Sequence, residues 1–453
     1  GLAGLAAART LRKRFRVTVV DVKEYFEFTS GILRAVVQPS HLDSLTFLYH
    51  EALERRLGVG FICGEVTMID GQRLCAHVRT TFDEKEDVVP FDFCLVAIGC
   101  SCNPLSPTGE TPWRPTVHQA ARAESEVKHL DERYLQGRRR GILEEHKRLH
   151  DLERKRANVL VVGAGYMGVE WACELKHHFP LLQVTVTDFL PHCLGPLPSE
   201  AAAYCEDYMQ RKKIRTVYGV KYDPNRQEFW QKVGLPGGAD RIFVLSGARS
   251  SSHFMPNLLP LSALSETGPG GGGWVLVNKH LQVVNSQQER WAEGRIFAVG
   301  DCVVSAPLSP SGWSMPPVPK TGYPAEQQAV HAGGNICALD RRLHGGVERL
   351  LGCVPIPDWL LRTDLRATWY PWGAGIFAIS LGPQDGCLVV GATAERGSGS
   401  VRYKGPLAAA LKELIAGTKM QQLRGELGLS RVIWNLVHHC PLNLWGHGPL
   451  WSL

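Results

Sequence analysis

The chain has 453 residues, room for about three domains at roughly 150 residues each, and a chain of this size buries a core without help from disulfides or metal. Its 50 lysines and arginines against 44 acids leave a formal charge of +6, mild and scattered, which excludes the concentrated basic face of a nucleic-acid binder. Thirteen cysteines lie apart, with no C-x-x-C and no zinc spacing, so reduced thiols in a reducing compartment, cytoplasmic or mitochondrial, are expected and a metal centre is not.

The first stretch reads GLAGLAAARTLRKRFRVTVVD. Gly1 and Gly4 have the spacing of the second and third glycines of a G-x-G-x-x-G turn, Leu5 to Leu11 continues as an alanine-rich helix, and Val17 to Val20 forms a strand ending on Asp21. The first strand and first glycine of such a unit are missing, which leaves two expectations: a fragment, or a relic. The plainer alternative is an ordinary amphipathic helix followed by a strand. Lys23 to Pro39 is aromatic, then small and polar, and is expected to be a loop and short helix lining a cofactor. Residues 57 to 96 alternate as strands with the charged DEKED at a hairpin tip. The closing strand Phe93 to Ile98 runs into Gly99. Residues 121 to 156 are densely charged with intermittent leucine spacing; a solvated helix carrying an inter-domain connection is expected, rather than a nucleic-acid patch at Arg138 to Arg140, because acids balance the bases.

Asn158 to Asp188 is the most informative stretch. A short aliphatic strand, Val159 to Val162, is followed by Gly163, Gly165 and Gly168 in the G-x-G-x-x-G spacing, and an amphipathic helix opens at once. Such an order gives Gly163 the tight turn, Gly165 the approach of backbone to a pyrophosphate, Gly168 close packing of helix on strand, and the helix N-terminus the phosphates. The second strand, Val184 to Val186, leads to Asp188, about 20 residues past the last glycine, where an acid meets the adenosine ribose of a dinucleotide. The alternative is a glycine-rich turn in an α/β sheet that binds nothing.

Further on, Tyr204 to Lys213 reads as a helix, Arg241 to Ser246 as a strand closed by Gly247, and PGGGG at 269 to 273 as loop. The strand WVLVN precedes GRIFAVGDCV, whose Gly300 and Asp301 place a carboxylate at a strand end, aimed at a polyol chain. Lys320 to Asn335 reads as a proline-started helix with Gln327 and Gln328 in its first turns. Residues 346 to 453 form a third region, with strands near 367 to 370, 375 to 380 and 387 to 391, the helix PLAAALKELIAGTKMQQL, and a tail with Trp434, Trp445 and Trp451.

Two dinucleotide fingerprints, a strand-to-glycine crossing after each and the late GRIFAVGDC together resemble the two-dinucleotide-binding-domain flavoproteins of the pyridine nucleotide-disulfide oxidoreductase superfamily. The stretches VTVVDVKEYFEFTSGILRA, GAGYMGVEWACEL, VPKTGYPAEQQA and FAISLGPQDG are most similar to its branch of type II NADH dehydrogenases and AIF-homologous quinone reductases of the ferroptosis-suppressor type. The resemblance covers about residues 1 to 400 and implies an α/β chain: a Rossmann-like FAD domain at 1–118 and 251–345, lacking its N-terminal strand, a Rossmann-like NAD(P)H domain at 119–250, and a C-terminal α+β region at 346–453. It implies that FAD is held by Gly1, Gly4, Asp21, Ala97, Gly99, Gly300 and Asp301, and NADH, in preference to NADPH, by Gly163, Gly165, Gly168 and Asp188. Glu170 would sit near the nicotinamide, and Gln327 and Gln328 would line the flavin and quinone pocket, which makes the three the catalytic candidates, for proton supply and quinone hydrogen bonds, with simple structural roles as the alternative. Disulfide reductases of the superfamily carry a cysteine pair in the loop after the first acid, but residues 22 to 62 hold none, which argues against thiol chemistry.

The implied activity is hydride transfer from NADH to FAD and of electrons on to a quinone or another small-molecule acceptor. The rival is a non-catalytic NAD(P)H-binding, AIF-like interaction protein, or a truncated pseudoenzyme. Leu407, Leu411, Leu414 and Ile415 recur at helical spacing, with Lys412 and Lys419 in reach of lipid phosphates, so the tail is expected either to lie on a membrane surface or to cover an apolar face or a homodimer contact.

Overall fold

A computed structural model describes residues 1–101, 132–306, 320–344 and 375–425, apart from 82, 84, 255–256, 268–270 and 393–396, and also residues 349–350, 354–355 and 364–367. Two compact units interleave along the chain: Gly1–Glu24, Tyr49–Cys100 and Arg249–Trp372 in the first, and Tyr25–Leu48, Ser101–Ala248 and Gly373–Leu453 in the second.

The first unit is organised by its opening helix, Leu2–Leu11. Small side chains run along one side, and Ala3, Ala6, Ala7 and Leu11 are buried in the same cluster as Ala329, Ala332 and Ile336 of the Gly322–His344 helix. A Cβ on Gly333 would stand 3.0 Å from Thr10 Cγ2, so the two helices approach closely because the sequence puts alanine and glycine at the contact. The strand Thr18–Asp21 runs parallel to Gly60–Asp70, which continues antiparallel through Cys75–Thr80 to Glu86–Pro90. Cys94–Val96 pairs in parallel with Ile296–Ala298, and Val275–Val277 with Val303–Ser305. Phe297, Val299 and Ile296, fully buried, fill the centre of the same cluster.

In the second unit four strands form a wholly parallel sheet, in the order Arg215–Val217, Gln183–Thr187, Asn158–Val162, Arg241–Val244. A parallel sheet is covered on both faces, so its strands read as aliphatic runs; Val159, Leu160 and Val161 are wholly buried. Crossover helices Tyr166–His178 and Ser199–Arg211 link successive strands. The C-terminal part is an antiparallel sheet, Gly375–Ser380, Gly386–Ala392 and Ser400–Lys404, with the helix Pro406–Leu423 packed across it.

Three expectations need correction. Tyr25–Glu27, expected as loop, is a strand paired with Thr46–Leu48, while the short helix expected after it is Ile32–Val37, packed on Leu135–Arg154 and Tyr166–His178. The helix Leu135–Arg154 is not solvated all round, since Arg138, Gly141, Ile142, Glu145 and Leu149 form a buried stripe. Two charged residues sit in that stripe, which hides its period. The helix at 322 runs to His344, well past Asn335.

Arg138 is buried and donates through Nε to Glu27 Oε2 at 2.8 Å and through Nη1 to Glu132 Oε2 at 3.2 Å. Burial works against its charge, but Glu27 and Glu132 outweigh that and raise the guanidinium's pKa. Removing one member of a buried pair leaves the other charge uncompensated, at a cost of about 3–5 kcal/mol. Arg138→Met is therefore expected to lower stability in chemical denaturation by about that amount. The double variant Arg138→Met, Glu27→Gln should recover part of the loss; a double variant no better than the single would contradict the pairing.

Candidate functional site

The glycine turn of the second unit is built from the strand Asn158–Val162 upward. Gly163 has φ +106 and sits so close to Leu245 and Ser246 that a Cβ would come within 3.0 Å of both. Only glycine takes that turn without strain. At Gly168 a Cβ would stand 1.8 Å from the Gly163 carbonyl oxygen, so the helix can start this near the strand only without a side chain there. Gly165, the N-cap, is the opposite case: with φ −67 a Cβ would meet nothing within 4 Å. Open space lies above the start of a helix whose N-terminus favours negative charge.

Asp188 closes this turn from the next strand. Its Oδ2 accepts the Ala164 N–H at 2.6 Å and its Oδ1 the Leu190 N–H at 2.9 Å, and the residue is buried. Each oxygen keeps a lone pair for a further donor. Two buried hydroxyls at the same carboxyl end of the sheet, Thr187 Oγ1 and Ser246 Oγ, have no hydrogen-bond partner among the described residues. The carboxyl ends of the strands are where open parallel sheets bind ligands, and the open face, the unmatched hydroxyls and the acid fit a dinucleotide's pyrophosphate and ribose.

Glu170 lies one turn into that helix. Its Oε1 accepts the Ser380 N–H at 3.0 Å and the Lys412 ammonium at 2.5 Å, and Lys412 also donates to Ser380 Oγ at 2.9 Å. The carboxylate thus ties the helix start to the C-terminal sheet and helix, a task the sequence did not reveal. Nearby, Arg34 donates to Glu174 Oε1 at 2.7 Å and pairs with Glu413. Lys412 is engaged, and Lys419 is buried and donates to Gln422 Oε1 at 2.8 Å. Neither lysine offers the lipid-facing charge expected of it. Leu407 and Leu414 are exposed, while Leu411 packs on the sheet. Trp434, Trp445 and Trp451 lie outside the described residues. Among the described residues no helix is long and apolar enough to cross a membrane.

In the first unit, Gly1 caps the opening helix with open space beside it. Its nitrogen lies 3.3 Å from the Tyr49 hydroxyl, which donates to Asp21 Oδ2, also at 3.3 Å. Helix start and strand-end acid are therefore side by side, as the motif requires, and Tyr49 is a member that sequence spacing could not indicate. A Cβ on Gly4 would meet the Ala97 Cβ at 3.7 Å. At the other strand end, a Cβ on Gly300 would lie 3.2 Å from Ala3 and 3.5 Å from Ala325. The buried Gln328 accepts the Gly300 N–H through Oε1 at 2.7 Å, so it braces the Gly300–Asp301 turn. Gln327, one position earlier, is half-buried.

Burial pushes the Asp301 carboxyl up to about 6, with Lys320 partly offsetting the effect. An acid whose folded pKa is raised stabilises the fold below its ordinary range, and that contribution is lost as pH rises through about 6. In flavin-free protein, Asp301→Asn should therefore melt higher than wild type at pH 7.5. The gap should close below about pH 4. Equal melting temperatures across the range would show that Asp301 ionises without penalty.

The family model of the pyridine nucleotide-disulphide oxidoreductases matches residues 1–333. A type II NADH:quinone oxidoreductase of Staphylococcus epidermidis is 20% identical over 361 residues, 75% of this chain and 80% of its own length. Apoptosis-inducing factor homolog B of Dictyostelium discoideum is 21% identical over 425 residues, covering 88% and 89%. The sulfide:quinone oxidoreductase of Aquifex aeolicus shares the fold with a TM-score of 0.66 at 15% identity, over 100% of this chain and 98% of that one. With a strand-to-helix turn carrying the motif glycines and acid in the second unit, a helix start and strand-end acid side by side in the first, and a family match over most of its length, the chain belongs to the pyridine nucleotide-disulphide oxidoreductases, flavoprotein enzymes whose cofactors are FAD and NADH.

Proposed function

We propose that this chain is an NADH:quinone oxidoreductase. The observation that carries the reading is the turn at Gly163, Gly165 and Gly168, open at its middle glycine and closed by the Asp188 carboxylate. In this reading the turn and the helix start hold the NADH pyrophosphate and Asp188 the adenosine ribose. Gly1, Gly4, Ala97 and Gly99 line the FAD, Asp21 binds its ribose, and Gly300 and Asp301 meet its ribityl chain. When bound, the flavin supplies the two-electron chemistry that joins NADH oxidation to quinone reduction. Gln328 positions the Gly300–Asp301 turn through its bond to the Gly300 N–H, and Gln327 is the member of the pair assigned to the flavin and quinone pocket. Glu170 is a positioning residue that fixes the first turn of the helix through Lys412 and Ser380. The quinone acceptor is supported by the similarity to the staphylococcal enzyme. A second reading, an AIF-like interaction protein, draws on the longer match to the Dictyostelium homolog, 88% of this chain.

One assay separates the two. Purified protein with bound FAD should oxidise NADH only slowly alone and rapidly once a soluble quinone is added. Bound flavin and bound NADH without quinone-dependent turnover would favour the interaction protein.

The nucleotide preference follows from charge. A 2′-phosphate beside Asp188 would bring like charges together in a buried setting, which costs on the order of several kcal/mol. We expect kcat/KM for NADH to exceed that for NADPH by roughly tenfold or more, and Asp188→Asn, which keeps an acceptor for Ala164 N–H, to narrow the gap. A wild-type preference for NADPH would contradict the assignment of Asp188.

A further inference from the structure

We propose that His146 and His150 form a two-histidine chelate for a zinc ion on the helix Leu135–Arg154. The two residues are four apart, so they stand one above the other on one helix face. Their Nε2 atoms are 3.2 Å apart. Two zinc–nitrogen bonds of about 2.05 Å spanning that separation enclose about 103°, close to the tetrahedral angle of a zinc site.

The protons on the other ring nitrogens favour the same outcome. His146 Nδ1 lies 3.2 Å from the Val36 carbonyl oxygen, which only accepts, so Nδ1 carries the proton and Nε2 keeps its lone pair. His150 Nδ1 is 4.0 Å from Glu153 Oε2, and a proton there likewise turns the Nε2 lone pair inward. For His146 this is the outer arrangement usual for metal-binding histidines, one nitrogen on the ion and the other donating to a backbone carbonyl. Without metal the 3.2 Å approach is an Nε2–H···Nε2 hydrogen bond between the two rings; a zinc ion between them takes the lone pair of each Nε2 once the His150 proton sits on Nδ1.

The rings are also held in place before any ion arrives. Phe179 packs on both, with centroids 5.8 Å from His146 and 5.0 Å from His150, so binding orders little. The His150 side chain is 55% exposed, which leaves the outer side of the site open to water. Among the described residues no group of three or more histidines, cysteines and acids can hold a metal, so waters complete the coordination. A site with two protein ligands binds more weakly and exchanges faster than the closed sites of structural zinc.

The test is zinc titration of the FAD-loaded protein at pH 7.5 by calorimetry, for wild type, His150→Ala, His146→Ala and the control His177→Ala. His150 is exposed, so its variant should fold; circular dichroism and flavin content verify this. Wild type and the control should bind one more equivalent of zinc than either variant, or bind that equivalent tighter by roughly tenfold or more. Zinc should also raise the melting temperature of wild type above that of His150→Ala, an effect reversed by chelator. Equal stoichiometry, affinity and zinc-dependent melting in wild type and His150→Ala would overturn the site. A loss shared by His177→Ala would overturn it as well.

Discussion

The distance between a strand end and a helix start governs the second unit's site. A Cβ on Gly168 would stand 1.8 Å from the Gly163 carbonyl, so this turn exists only where both positions lack side chains. That closeness brings the first turn of the helix Tyr166–His178 over the carboxyl end of the sheet, and it leaves the face at Gly165 open. Asp188 then holds the loop by accepting the Ala164 N–H. One steric condition thus sets the loop's path, the helix's direction and the place where a phosphate fits.

The surroundings are fastened by paired charges more than by shape. Arg138 meets Glu27 and Glu132, Arg241 donates to both oxygens of Glu145 at 2.8 and 2.7 Å, Arg34 meets Glu174, and Lys412 meets Glu170. Each of these acids is buried or nearly so. Such pairs add little net stability over apolar packing, because desolvation offsets much of the attraction, but losing one partner is costly. They therefore fix which element lies against which. The Pro406–Leu423 helix is docked in this way, by Lys412 on Glu170 and by Glu413 on Arg34.

Much of the fold was legible because it obeys local rules. The strands at 158–162, 183–187 and 296–298 are short runs rich in β-branched or apolar residues that end near glycine or acid, and the Pro406 helix starts on a proline and carries good helix formers to Leu423. The motif glycines were legible for a similar reason: turn, approach and packing all act within a few residues. The parts that were not legible depend on partners distant in sequence. Glu170 and Lys412 are 242 positions apart, and Arg138 and Glu27 are 111 apart. No local pattern says that a lysine on an amphipathic helix will turn inward to an acid, so the spacing of Lys412 is equally compatible with a lipid-facing charge and with a packed one. The Leu135–Arg154 helix misled for the same reason, since its buried stripe includes Arg138 and Glu145. The Gln328 amide oxygen accepts the Gly300 N–H, which motif spacing alone does not reveal.

The central claim is that the glycine turn of the second unit receives a dinucleotide at Gly165. Calorimetric titration of NADH into wild type and Gly165→Val tests it directly. The backbone at Gly165, with φ −67, accepts a side chain, and a Cβ there meets no protein atom within 4 Å, so the unliganded variant should melt as wild type does. Its affinity for NADH should fall by roughly tenfold or more, because the added methyl groups occupy the pyrophosphate's approach. Unchanged NADH affinity in a folded Gly165→Val protein would contradict the account.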